Sequence, residues 1–82
     1  MYYIYIMKSE RNGKRYAGST SKLPLDRVKD HNNGSNQFTR QNGPWNLIYS
    51  ESFITKDEAL RREKFLKSGQ GRKWLDDNLD PR

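Results

Sequence analysis

Five polar residues stand where the sequence around them calls for apolar ones or for plain strand packing. On the helix that opens at Thr55, at about 100° per residue, Leu66 falls about 20° from Ala59, and Leu60 falls about 100° away. Glu63 falls about 40° from Ala59, inside that apolar stripe. A carboxylate there is costly unless it is paired or holds a cation. Ion pairs outnumber metal ligands, so spacing alone favours a salt bridge to a nearby arginine. On an earlier helix, Leu23 and Val28 bracket the inner face, and Arg27 and His31, spaced i and i+4, lie between them. The ordinary alternatives are that Arg27 snorkels outward and that His31 caps the helix end. Tyr5 and Tyr16 lie on two strands of an N-terminal hairpin, where packing is the commoner fate of a tyrosine.

Taken together, two tyrosines, an arginine, a histidine and a carboxylate facing one cleft can hydrolyse a phosphodiester. The attacking water needs a base, the pentavalent phosphate needs a cation, and the leaving oxygen needs a metal or an acid. Gly18 reads as the end of the second strand. It is either a plain turn glycine or a place where a phosphate approaches the backbone, with Ser19 and Thr20 adding hydroxyl donors.

The elements that must position these groups are legible. Residues 2–8 (YYIYIMK) have the β-branched and aromatic composition of a strand. Asn12-Gly13 signals a hairpin turn, and residues 14–18 return as a second strand. A two-residue turn there puts Tyr16 opposite Ser9, on the same sheet face as Tyr5 but four residues away along the ladder, roughly 13 Å. A bulge or longer loop would bring the two closer. Pro24 suits the first turn of a helix running to about Asn32, with Gly34 as its stop. Residues 33–45 read as a polar loop with at most one helical turn, and residues 46–53 as a third strand. Thr55 and Glu58 form a capping box for a helix that runs to about Ser68, with Gly69 as its C-cap. A short last helix is expected around Lys73–Asn78. The class is α+β, a three-stranded antiparallel sheet flanked by helices in the order β-β-α-β-α-(α), one domain over residues 1–82.

Composition narrows the partners. There are 16 Lys+Arg against 10 Asp+Glu, a net charge of +6, which suggests a polyanion such as nucleic acid. With no Cys and a single His, thiolate and multi-histidine zinc sites are excluded. No apolar run approaches the ~20 residues of a membrane span, and no signal peptide is present, which together fit a reducing cytoplasm. The expected phosphate contacts are Gly18, Ser19, Lys22, Lys29, Arg40, Arg72 and Lys73, in loops or near helix ends.

Tyr3-Ile4-Tyr5, Tyr16-Ala17-Gly18, Arg27 with His31, and Glu63, in this order and spacing, resemble the GIY-YIG nuclease superfamily. The likeness runs through YAGST, the LxxRxxxH helix, FTRxxxPWxLIYSE and EALRREKxLKS to GRKWL, and covers residues 1 to about 76. It is narrowest to the small stand-alone bacterial members, related to the nuclease domain of the excision-repair incision subunit, which implies a role in DNA repair. Tyr5, Tyr16, Gly18, Arg27 and His31 match the family's site, and Glu63 matches its metal-ligating glutamate. Tyr3 stands where the first motif has Gly, Ala17 where the second has Ile, and Ser19 where some relatives have Lys.

The resemblance implies a metal-dependent endonuclease. DNA is the expected substrate ahead of RNA, an 82-residue chain has little surface for reading bases and so favours structure-led selectivity, and a monomer is assumed. In that scheme Glu63 holds one divalent ion, Mg²⁺ or Mn²⁺, which stabilises the leaving oxygen. Tyr5 takes the proton of the attacking water, helped by His31, Tyr16 or nearby positive charge. Arg27 neutralises the charge growing on the phosphate, and Tyr16 orients water or phosphate. The alternative is a non-catalytic single-strand binding module that stacks bases on Tyr2, Phe38, Trp45 and Trp74. Both tryptophans are more ordinarily core residues.

Overall fold

The computed structural model describes residues 1–34 and 36–79. Strand β1 (Tyr2–Ser9) is the middle of a three-stranded sheet ordered β2-β1-β3, with β2 (Arg15–Thr20) and β3 (Trp45–Phe53) both antiparallel to it. Helices α1 (Pro24–Asn32) and α2 (Gln37–Asn42) connect β2 to β3, and α3 (Lys56–Lys67) and α4 (Gly69–Leu79) follow the sheet.

Because side chains alternate along a strand, β1 serves two cores. Ile4 and Ile6 pack with Ala59, Leu66 and Leu75 of α3 and α4. Tyr5 and Met7 point the other way, to Val28 of α1 and to Trp45. An apolar share of 32% thus fills two small clusters on opposite faces of one sheet.

The hairpin departs from the two-residue turn. Met7 pairs with Tyr16 and Lys8 with Arg15, so residues 10–13 form the loop. Ser9 causes the wider loop: its Oγ accepts the N–H groups of Arg11 and Asn12, while Asn12 Oδ1 accepts the Lys14 N–H. Only Gly13 takes a positive φ, 73°, whereas a type I′ turn would need Asn12 there too. The shift is an even number of residues, so Tyr5 and Tyr16 keep their common face and come two residues closer.

Other boundaries move for local reasons. β2 runs on to Thr20, which puts Gly18 inside the strand, opposite Tyr5. The loop after α1 contains α2, capped by Asn36, whose side chain accepts the Thr39 N–H. Gly34, at φ 87°, follows α1 as expected. Gly69 does not cap α3 in a left-handed turn. Ser68 ends that helix, and Gly69 begins an α4 that is longer than the Lys73–Asn78 piece expected. Leu23 and Leu60 are 60% and 43% exposed, so neither belongs to the inner face assigned to it.

Two contacts set the positions of the helices. The Asn32 side chain grips the backbone of Trp45 at both ends, donating to its carbonyl at 3.0 Å and accepting its N–H at 2.7 Å, as a neighbouring strand would. This ties the last turn of α1 to the first residue of β3. Gly71 lets α4 touch α3: a Cβ there would lie 2.0 Å from the Phe65 carbonyl oxygen and 2.5 Å from Leu66 Cα.

Candidate active site

Tyr5 lies on the central strand, with its ring against Gly18 of β2. A Cβ at Gly18 would sit 2.4 Å from the phenol oxygen, so a glycine is required there by Tyr5. The room above Gly18 is filled by this ring. The phenol meets His31 Nε2 at 2.7 Å. His31 is fully buried and does not cap α1. Tyr16 completes a cluster, its ring centroid 6.4 Å from Tyr5 and 5.2 Å from His31.

The other two groups approach the phenol. Arg27, one helical turn before His31, is close enough to the phenol for its charge to favour the ionised form. It also leans on Asp30 at 3.6 Å. Glu63 is close enough to Tyr5 to oppose its ionisation. It carries an ion pair, as spacing alone favoured, but the partner is Lys67 one turn on, at 2.7 Å, and not an arginine. The Glu63 side chain keeps 18% exposure, facing neither bulk solvent nor the sealed core.

These surroundings set the proton inventory. Burial, then Tyr16, pushes the Tyr5 phenol up to about 12, against the pull of Arg27. Burial and the Arg27 charge push His31 below its ordinary 6.5, with Asp30 opposing. At neutral pH Tyr5 is therefore a phenol and His31 a neutral imidazole, and in the tautomer with its proton on Nδ1 the phenol O–H donates to Nε2.

The expected phosphate contacts scatter. Ser19 lines a polar depression with Thr20, Ser21 and Lys56. Lys22 pairs with Asp30 at 2.7 Å. Lys29 and Lys73 are exposed, and so is Arg40, which lies beside Gly34. Arg72 lines a groove of about 390 Å³ together with Lys14, Arg15, Tyr16, Phe38 and Lys67. Lys14, Arg15 and Lys67 were missed because they sit in regular elements or at a strand start. The helical offset of Lys67 from Glu63 was the one available signal.

Trp45, proposed for base stacking, is 2% exposed and gives its indole N–H to the Thr39 carbonyl. Trp74 is half-buried under the Arg62 guanidinium, which lies 4.9 Å from its ring and holds Glu51 with two nitrogens. Both tryptophans are structural.

A β-β-α-α-β-α-α chain with two tyrosines, an arginine, a histidine and a glutamate around the middle strand has the make-up of a GIY-YIG nuclease. The description "GIY-YIG catalytic domain" matches residues 1–75, and the chain belongs to this family of nucleases. A UPF0213 protein of Clostridium perfringens is 43% identical over 68 residues, covering 82% of this chain and 71% of its own length. A UPF0213 protein of Staphylococcus saprophyticus is 39% identical over 75 residues, covering 90% and 89%. The solution structure of a UPF0213 protein from Bacillus halodurans superposes with a TM-score of 0.58 at 31% identity, covering 99% of this chain and 89% of that one.

Proposed function

We propose that this nuclease is a divalent-metal-dependent endonuclease that hydrolyses phosphodiester bonds in DNA, selecting substrates by structure rather than by sequence. The observation that carries the reading is the Tyr5–His31 hydrogen bond at 2.7 Å, with the Arg27 charge close enough to favour ionisation of the same phenol.

A phenol raised to about 12 is a poor base by itself. Coupled to His31 it becomes a relay. Tyr5 takes a proton from the attacking water while its own proton passes to Nε2. His31, held neutral, is the acceptor that makes this transfer feasible. Arg27 faces the same spot and neutralises the charge that builds on the phosphate. Tyr16 walls the cluster and orients the water or the phosphate.

The donor set suits a hard cation. No group of three or more His, Cys, Asp or Glu gathers among the described residues, and this reading gives the protein's share to a single carboxylate, Glu63. Mg²⁺ and Mn²⁺ accept such sites, because water and phosphate oxygens fill the remaining positions. When bound, the ion supplies Lewis-acid stabilisation of the leaving oxygen. Lys67 must release the Glu63 oxygen it holds, which a solvent-accessible pair does at little cost.

No helix among the described residues is long and apolar enough to cross a membrane. Action on DNA as a cytoplasmic monomer, in repair, accords with this reading. The test is a cleavage panel of single-stranded, duplex, flap and RNA substrates, each with Mg²⁺, with Mn²⁺ and with chelator. We expect metal-dependent cutting of DNA that disappears in Tyr5→Phe. Cutting that persists in chelator, or in Tyr5→Phe, sinks the proposal.

A further inference from the structure

The groove beside β2 has a composition that the five site residues do not account for. It follows the sheet edge, since β2 has β1 on one side and no strand on the other. Its aromatic wall is Phe38, stacked on Tyr16 with centroids 6.0 Å apart and planes at 29°. Phe38 stays 43% exposed on the short helix α2. Lys14, Arg15, Lys67 and Arg72 line the same groove. Among the described residues two of the four are met by carboxylates: Arg15 by Asp76 at 2.6 Å, and Lys67 by Glu63. The groove thus joins an exposed ring to a surplus of positive charge.

Position adds the second argument. Tyr16 belongs both to the groove and to the candidate active site. Gly18, which faces Tyr5, lies two residues along β2, about 7 Å away. Beyond it, Ser19, Thr20 and Lys56 line the other depression. A chain of phosphates laid along the β2 edge would therefore run past Gly18, against which the Tyr5 ring lies, with cations on one side and hydroxyls on the other.

We propose that this groove seats an unpaired nucleotide of the DNA strand next to the scissile phosphate, its base on Phe38 and its backbone beside Lys14 and Arg72. The proposal rests on the nuclease reading above. A paired base inside a duplex has both faces covered by its neighbours, so a protein ring can stack only on a base that has left the helix. An aromatic ring with cations around it is the recurring recognition element for such a strand. The substrate feature selected is then a free strand or a strand end.

The test uses the full chain in chelator, so that binding is read without cutting. A single-stranded DNA oligonucleotide carrying the fluorescent base 2-aminopurine and a blunt duplex of the same sequence are titrated against the parent, Phe38→Ala, Phe38→Leu and Phe38→Trp. Stacking on an aromatic side chain gives a strand roughly tenfold or more in affinity. We expect Phe38→Leu to weaken single-strand binding by about that factor, to leave duplex binding within about twofold, and to abolish the quenching of 2-aminopurine. Phe38→Trp should retain both affinity and quenching. Phe38→Leu keeps the apolar bulk against Tyr16, so the test holds even where Phe38→Ala melts early. Single-strand binding unchanged in Phe38→Leu, or single-strand and duplex binding falling in proportion, overturns the proposal. A parent that stacks the base yet cuts nothing with metal present leaves this subsite standing and removes the nuclease reading instead.

Discussion

At the scale of single residues, the Tyr5–His31 pair makes cleavage depend on pH in a defined direction. The imidazole must be neutral to accept the proton, and its pKa lies below the ordinary 6.5. Cleavage should thus hold steady through neutral pH and fall only as pH drops through that lowered value. A pH–rate profile under single-turnover conditions reads this, and an acid limb above 6.5 would contradict it. Stability moves the same way. The unfolded chain binds the proton at a higher pH than the folded one, so stability is lost as pH falls below the unfolded value. The profile must therefore be taken well below the melting temperature.

Glu63→Gln separates metal holding from ion pairing. The pair with Lys67 is an accessible i,i+4 contact, worth no more than about 0.5 kcal/mol. Melting should barely move, nucleic-acid binding should persist, and cleavage should vanish with poor rescue by added metal. A variant that melts early yet cuts when folded would return Glu63 to a structural role. Gly18→Ala tests the cradle under Tyr5. A Cβ 2.4 Å from the phenol oxygen must displace the ring and break the bond to His31. We expect a loss of about 1–3 kcal/mol and a matching collapse of cleavage. Parental activity would mean the ring has another resting place.

The residues Tyr5, Tyr16, Arg27, His31 and Glu63 were legible because each broke a periodicity or matched a motif. Lys14 and Arg15 were not. A lysine or arginine at a strand start fits ordinary surfaces equally well, and only the fold shows that they share a groove with Phe38, a residue whose type had already suggested base stacking.

Elements differ in how far local chemistry fixes them. The Thr55–Glu58 capping box was readable and is present, both side chains satisfying backbone N–H groups. Pro24 opens α1 as its fixed φ requires. The length of the hairpin loop was not readable, because the competing partner for Arg11 and Asn12 is the Ser9 hydroxyl, which a turn dipeptide does not reveal. The start of α4 was hidden for a related reason. Gly69 and Gly71 argue against a helix by propensity, yet Gly71 is kept for tertiary contact. Replacing the two features should have unequal effects. Thr55→Ala removes one cap and should cost about 1 kcal/mol. Gly71→Ala drives a methyl into the Phe65 carbonyl, which cannot turn away as a side-chain end would. Its cost should reach or exceed the ~3 kcal/mol of severe overpacking. Denaturant melts of the two variants decide the order, and a Gly71→Ala protein as stable as Thr55→Ala would show that α4 can lift away from α3.

For the whole molecule, charge is the property that acts at a distance. A net +6 on 82 residues attracts polyanions before any contact forms. Affinity for DNA should fall steeply between low and physiological salt, as released counterions dictate. A salt-independent affinity, measured by anisotropy over a salt series, would point to a protein partner instead. The sequence disclosed this bulk charge but not its distribution, since the groove draws its cations from β2, α3 and α4 together with Lys14, the residue just before β2.

The double use of β1 has a consequence for how such a chain can change length. Ile4 and Ile6 serve one core while Tyr5 and Met7 serve the other, and the neighbouring strands are both registered to this one strand, β3 to Tyr2–Ser9 and β2 to residues 3–8. A single codon gained or lost within β1 would exchange the chemical set for the greasy set on every later position at once. Residues 10–13 sit outside that constraint, but not outside geometry: a change of two there keeps the faces and slides Tyr16 past Tyr5, out of reach of His31. Lineages of this fold should therefore drift in length at the ends and between α1 and β3, and hold the hairpin to one count.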